Sequence, residues 1–213
     1  MVSPFSLSGC CALACLLSTA ATSPLHAQTL HLSQLDNEME TKTARAEASV
    51  GDTLSIQIRA HLGSLSATGL TLFVRFSSTI FAAVDADGDA TNGLQPFEQG
   101  SLFAGAIEFH NATVTGGLID AGDFQTISYA AVQGGGGSRA SSGSGDVATF
   151  RLVCLEAAES DVSIYRSPIH ETRLVLGDGL SERDFRPAAP LTVDVARRGI
   201  SNSPWSAIKD QPR

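Results

Sequence analysis

This chain is short of positive charge, of cysteine and of aromatics with a polar edge, and each shortage closes off a class of function. Fourteen Lys and Arg stand against 22 Asp and Glu, for a formal net charge of −8. No cluster of basic residues offsets that balance, so the polyanionic surfaces of nucleic acids and anionic membranes are poor partners. Three of the four cysteines, Cys10, Cys11 and Cys15, crowd into an N-terminal apolar stretch, and Cys154 is the only one beyond it. Once that stretch is removed no intrachain disulfide can form, and stability must come from a packed core. Trp205 is the single tryptophan, and Tyr129 and Tyr165 are the only tyrosines, too few for an aromatic strip that stacks on crystalline polysaccharide. Past the first 27 residues there is no apolar run long enough to cross a bilayer and no useful length of helical periodicity.

The N-terminus itself reads as a secretory signal. The apolar run CCALACLL at Cys10 to Leu17 precedes small residues and Leu25-His26-Ala27, which predicts cleavage after Ala27 and a secreted or cell-surface product. The first basic side chain is Lys42, so only the α-amino group supplies the positive end of the signal. Leu7-Ser8-Gly9-Cys10 has the form of a lipobox that would lipidate Cys10, but too few residues precede it to complete an apolar segment. Residues 28–42 form a leader or a short edge strand, residues 43–196 the folded body, and residues 197–213 a tail. In that tail Pro204-Trp205 and Ile208-Lys209 make an apolar and basic cluster suited to a sorting signal, to docking back on the body, or to an untethered end.

The body is organised around VGDTLSIQIRAHL, Val50 to Leu62. Gly51-Asp52 is a turn signal; Leu54, Ile56, Ile58, Ala60 and Leu62 then alternate with Thr53, Ser55, Gln57, Arg59 and His61. Period two means one face on a core and one toward water, the mark of an antiparallel two-layer structure. The same alternation recurs at Leu70 to Phe76, Ile107 to Thr113, Gln125 to Ala131, Asp146 to Leu155, Val162 to Ile164, Leu174 to Leu176 and Leu191 to Val195, with a brief apolar run at Phe81 to Val84. Gly134 to Gly145 reads as a long flexible hairpin loop, because neither flank is a complete domain alone. Eight or nine short strands separated by Gly, Asp, Asn and Ser predict an all-β sandwich. Cys154 shares the inward register of Ala148, Phe150 and Leu152, as a buried apolar residue rather than a reactive thiol.

Three stretches also resemble a known family. Val50-Gly51-Asp52-Thr53 opening an alternating strand, Gly145 to Phe150 (GDVATF) leading into an apolar strand, and Leu191 to Val195 (LTVDV) as a closing strand are similar to bacterial cohesin-like domains. The resemblance spans about residues 43–196. It implies an eight- or nine-stranded antiparallel jelly-roll β-sandwich, related in outline to carbohydrate-binding modules, and a noncatalytic role in which a dockerin-like protein partner is bound during extracellular assembly. Unlike scaffoldins of that family, this chain has one copy and no dockerin of its own. The alternatives are a carbohydrate-binding module serving polysaccharide breakdown and a calcium-stabilised structural surface protein.

The most concentrated chemistry lies at Asp85, Asp87 and Asp89, three carboxylates two residues apart, with Gly88 and Asn92 beside them. Such a loop can offer hard oxygen ligands to calcium or be a plain solvated turn. It is not an EF-hand loop, because Gly88 falls at the fourth position instead of the sixth and Pro96 stands where a bidentate Glu is required. Enzyme chemistry has less support. His26 leaves with the signal, His31 lies in the leader and His61 faces outward, while His110 and His170 neighbour Glu108 and Glu171 without a nucleophile or zinc spacing. Asn111-Ala112-Thr113 has the form of a glycosylation sequon.

Overall fold

The computed structural model describes residues 29–34, 45–89, 91–114, 122–134, 140–187 and 189–198. The stretch read as a signal, with Cys10 and Ala27, and the tail with Trp205 lie outside them. In chain order the strands are β1 (Thr29–Gln34), β2 (Arg45–Ser49), β3 (Thr53–Ser77), β4 (Phe81–Ala83), β5 (Phe97–Gln99), β6 (Ile107–Thr113) and β7 (Phe124–Val132). They continue with β8 (Ser141–Cys154), β9 (Glu159–Ile164), β10 (Arg173–Leu176), β11 (Glu182–Asp184), β12 (Arg186–Pro187) and β13 (Leu191–Ala196). There is no helix among the described residues, and the chain is an all-β sandwich. The strands outnumber the predicted eight or nine because β4, β5, β11 and β12 are two- or three-residue edge pairings, too short to leave a period in the sequence.

The 25 residues of β3 connect the two layers. Leu54, Ile56, Ile58, Ala60 and Leu62 are all buried, as their alternation requires, and so are Leu70, Leu72, Val74 and Phe76. Between Leu62 and Ala67 the alternation slips, and the pairing with β8 shifts register between His61 and Ser66. A strand that loses its phase in this way bends. Its first half lies between β1 and β8, with β4 and β5 beyond on β8. Its second half lies between β7, which carries β6, and β9 and β10. Gly63 to Thr68, between the two alternating stretches, is thus strand as well. So is much of the predicted Gly-rich loop, since Ser141 to Gly145 pair along β3; residues 135–139 lie outside the described residues.

Two pairings are parallel, β13 with β2 and β12 with β1, where alternation alone suggested an antiparallel sheet. Periodicity reports which face is buried, not strand direction. Thr29–Gln34 pairs in register with Gln34 opposite Ile56 and Thr29 opposite His61, making this part of the leader a strand beside β3, with β12 on its other side at Thr29 and Leu30.

The VGD turn has a local cause. Gly51 sits at φ 88°, a left-handed conformation that a Cβ disfavours, and its N–H donates to the Cys154 carbonyl at 2.8 Å. Asp52 Oδ2 accepts from the Ser49 N–H at 2.9 Å. Gly51→Ala is expected to cost about 1 kcal/mol; a urea midpoint equal to that of the parent would show that the turn does not need glycine.

Asn111 does not offer a free amide for glycosylation. Its Nδ2 donates to the Phe97 carbonyl at 2.8 Å and its Oδ1 accepts from the Phe97 N–H at 3.0 Å, so the carboxamide stands in for a strand neighbour between β6 and β5. Asn111→Ala leaves both Phe97 groups without these bonds and is expected to lower stability by about 1–3 kcal/mol in equilibrium unfolding.

Candidate functional site

The acidic loop is a nest of local turns. The Asp89 N–H donates to Asp87 Oδ1 at 2.8 Å and Asn92 Nδ2 to Asp87 Oδ2 at 2.8 Å. Asp89 Oδ1 accepts from the Thr91 N–H at 3.0 Å and from the Thr91 hydroxyl at 2.6 Å, and Asp85 Oδ1 accepts from the Gln95 N–H at 2.9 Å. Each carboxylate therefore serves its own turn, which is what Asp does in loops. Among the described residues no three His, Cys, Asp or Glu side chains gather as a metal-binding group.

These bonds favour the ionised acids. The Asp89 N–H, then Asn92, holds the Asp87 carboxyl below its ordinary 3.8, and the Thr91 hydroxyl, then its N–H, does the same for Asp89. A carboxyl depressed in the folded state adds stability that is complete above its unfolded value and lost as pH falls through the folded one. The melting temperature is expected to be flat above about pH 5 and to fall below about pH 4. Replacing Asp87 and Asp89 together by Asn should make that acid limb shallower, and an unchanged limb would place the titration elsewhere.

The histidines form no catalytic group among the described residues. His61 is exposed, with Nδ1 hydrogen-bonded to the exposed Ser144 hydroxyl; His110 is exposed on β6. The His170 ring meets the Phe73 ring edge-on at 5.1 Å. Cys154 is buried, and burial, followed by the charge of Asp52, pushes its thiol up, away from the reactive thiolate. Tyr129 is fully buried, which removes it from any sugar-stacking role.

The two outer faces differ. On the first layer, β3 and β8 turn Thr53, Ser55, Gln57, Arg59, Thr149 and Arg151 outward, with Glu98 of β5 opposite Thr149. That face is mostly polar, with Val153 opposite Thr53 and Ala82 beside it as apolar exceptions. On the second layer, register sets Ile107 opposite Val132, Ala112 opposite Ser128, Arg75 opposite Thr126 and Ser163 opposite Arg75. Its outward residues are largely apolar, small or aromatic, and three large apolar side chains stand out on the β6–β7 side: Ile107 is 54%, Phe109 69% and Phe124 45% exposed. Thr71 and Ala112 are small, and His110 stands opposite Ala130 on the same side. Exposed large apolar side chains at both ends of one strand pair mark a candidate interaction surface.

The sequence pattern put Ile107 and Phe109 on the alternation of a strand and so suggested an inward face. The bulge between Glu108 and His110 breaks that phase, and Asn111, opposite the buried Tyr129, takes the inward place. The inverted phase is legible only once the pairing is known.

No protein-family model matches the chain, and no curated protein matches its sequence. Solved structures do match. A type II cohesin domain from the cellulosome of Acetivibrio cellulolyticus superposes with a TM-score of 0.55 at 14% identity, over 78% of this chain and 94% of that one. A type II cohesin dyad from an adaptor scaffoldin of the same organism gives 0.55 at 15% identity, over 78% of this chain and 48% of the dyad. A type I cohesin from Pseudobacteroides cellulosolvens gives 0.50 at 10% identity, over 81% and 94%. Together with the bent central strand and the single core enclosed by two layers, these superpositions show that the chain has a cohesin-like fold.

Proposed function

We propose that this chain is a noncatalytic binding module that takes a protein partner on the outer face of β6, β7, β3 and β9, in an assembly outside the cell. The observation that carries this reading is the asymmetry of the two layers: the outer face of β3 and β8 is mostly polar, whereas the β6–β7 side of the other layer leaves Ile107, Phe109 and Phe124 exposed. Four strands at about 4.8 Å spacing and about 3.3 Å per residue make a face about 15 Å wide and 25 Å long, wide enough for the apolar centre of a protein interface. The similar structures include cohesins from a cellulosome and from an adaptor scaffoldin, which supports an assembly role, and the resemblance in the sequence points to a dockerin-like partner.

The test is capture with the full purified chain as bait, run against the producing organism's secreted proteins and its insoluble polysaccharides, with and without calcium. A discrete protein retained by the parent and lost on Phe109→Lys is the expected result. Phe109 is 69% exposed, so that substitution leaves the core untouched. Retention on polysaccharide alone would overturn the reading in favour of a carbohydrate-binding module. Calcium dependence of melting, removed by replacing Asp85, Asp87 and Asp89, would assign the acidic loop as a structural ion site.

A further inference from the structure

Arg75 stands on this face between two rings. Its guanidinium carbon lies 4.2 Å from the centroid of Phe124 on β7 and 5.0 Å from that of Tyr165, just past β9. Aromatic rings attract the cation and fix the plane of the fork. Four arginines meet a carboxylate: Arg45 meets Glu159, Arg166 meets Asp184, Arg173 meets Glu182 and Arg198 meets Asp52. Arg75, in a chain with an excess of acids, has no carboxylate and no hydrogen-bond acceptor among the described residues. Its Nε is buried without a partner, and so is Oγ1 of Thr126, the residue directly opposite it on β7. Both atoms are closed to solvent, whereas Arg75 as a whole is half-buried, so a ligand meets the guanidinium at its terminal nitrogens.

We infer that the Phe124–Arg75–Tyr165 stack is a receptor for one side-chain carboxylate, so that the protein partner presents an Asp or Glu to the middle of the β7–β3–β9 face. This rests on the reading of that face as a protein-binding surface. A planar guanidinium held between rings pairs with a carboxylate through parallel charge-assisted hydrogen bonds, in surroundings poorer in water than an open surface. The net charge of −8 disfavours a strongly acidic partner at long range. The occupant is therefore a single acid within an otherwise apolar or neutral segment, long enough to run about 20 Å along β7 to the exposed Ile107 at its other end.

The experiment selects a displayed library of random dodecapeptides on the full chain and measures the affinities of the selected peptides as purified reagents. The expected result is enrichment of peptides with Asp or Glu at one fixed position among apolar residues. Their binding should fall at least tenfold on Arg75→Gln and equally on changing the peptide acid to its amide. The two changes together should cost no more than either alone, and Arg75→Lys should restore part of the loss. Melting of Arg75→Gln like the parent excludes unfolding as the cause. Peptides that are lost on Phe109→Lys but indifferent to Arg75→Gln would overturn the carboxylate receptor and leave the binding face standing. Peptides indifferent to both substitutions would overturn both. Displacement of the selected peptides by polygalacturonate, with direct binding of that polymer abolished by Arg75→Gln, would also overturn it by assigning the site to uronic acids.

Discussion

Phe150→Ala is expected to remove about 3–5 kcal/mol of stability. Phe150 is 1% exposed on β8, opposite Ile56 of β3 and Phe97 of β5. Its ring lies 5.4 Å from that of Phe97, which lies 5.5 Å from that of Tyr129 on β7. The three rings thus run from one layer into the other. Truncating the first of them removes buried apolar surface and leaves a void that the flanking strands, tied by their ladders, cannot close. Against a total of about 5–15 kcal/mol for a domain of this kind, such a loss is a substantial part of the whole. Equilibrium urea unfolding measures it directly, and a loss below about 1 kcal/mol would mean that the three rings are not a packed bridge.

Gly69→Ala should damage stability and partner binding together. A Cβ at Gly69 meets the Ala131 carbonyl oxygen at 2.4 Å and Val132 Cα at 2.8 Å. Both are backbone atoms of β7, so no side-chain rotation relieves the contact, and β3 and β7 must separate. Overpacking of this kind costs about 1–3 kcal/mol. The same two strands carry Arg75 and Phe124, so a partner that binds across them should lose affinity as well. Thr71→Ala, two residues along on the same face, serves as the control that shortens a side chain without forcing the backbone. An unfolding midpoint for Gly69→Ala equal to that of Thr71→Ala would contradict the close approach of these strands.

Much of the fold was legible in the residues because β alternation is local. The buried sets Leu54 to Leu62, Leu70 to Phe76 and Ala148 to Cys154 fall where their period predicts, and Gly51-Asp52 turns the chain where the dipeptide indicates. The candidate face was much less legible. Phe124 precedes the stretch read as strand, Arg75 alternates as any polar outward residue does, and Tyr165 is distant from both in sequence. Their meeting depends on β7 and β9 flanking the second half of β3. The acidic loop drew notice by composition, yet its carboxylates are turned to neighbouring N–H groups, an orientation that spacing does not encode.

By itself, then, the sequence determined the class of structure and its buried residues: a period of two, a shortage of cysteine, and turns built from Gly and Asp leave a two-layer β core as the way to bury the apolar positions. Tertiary structure alone decided the rest. It made one bent strand of two predicted ones, paired β13 in parallel with β2, left Phe109 exposed at a bulge and placed Arg75 between two rings. The physical reason is that burial pattern is written in consecutive residues, whereas partner, direction and register are settled by ladders between segments up to about 150 positions apart, where many arrangements satisfy the same period.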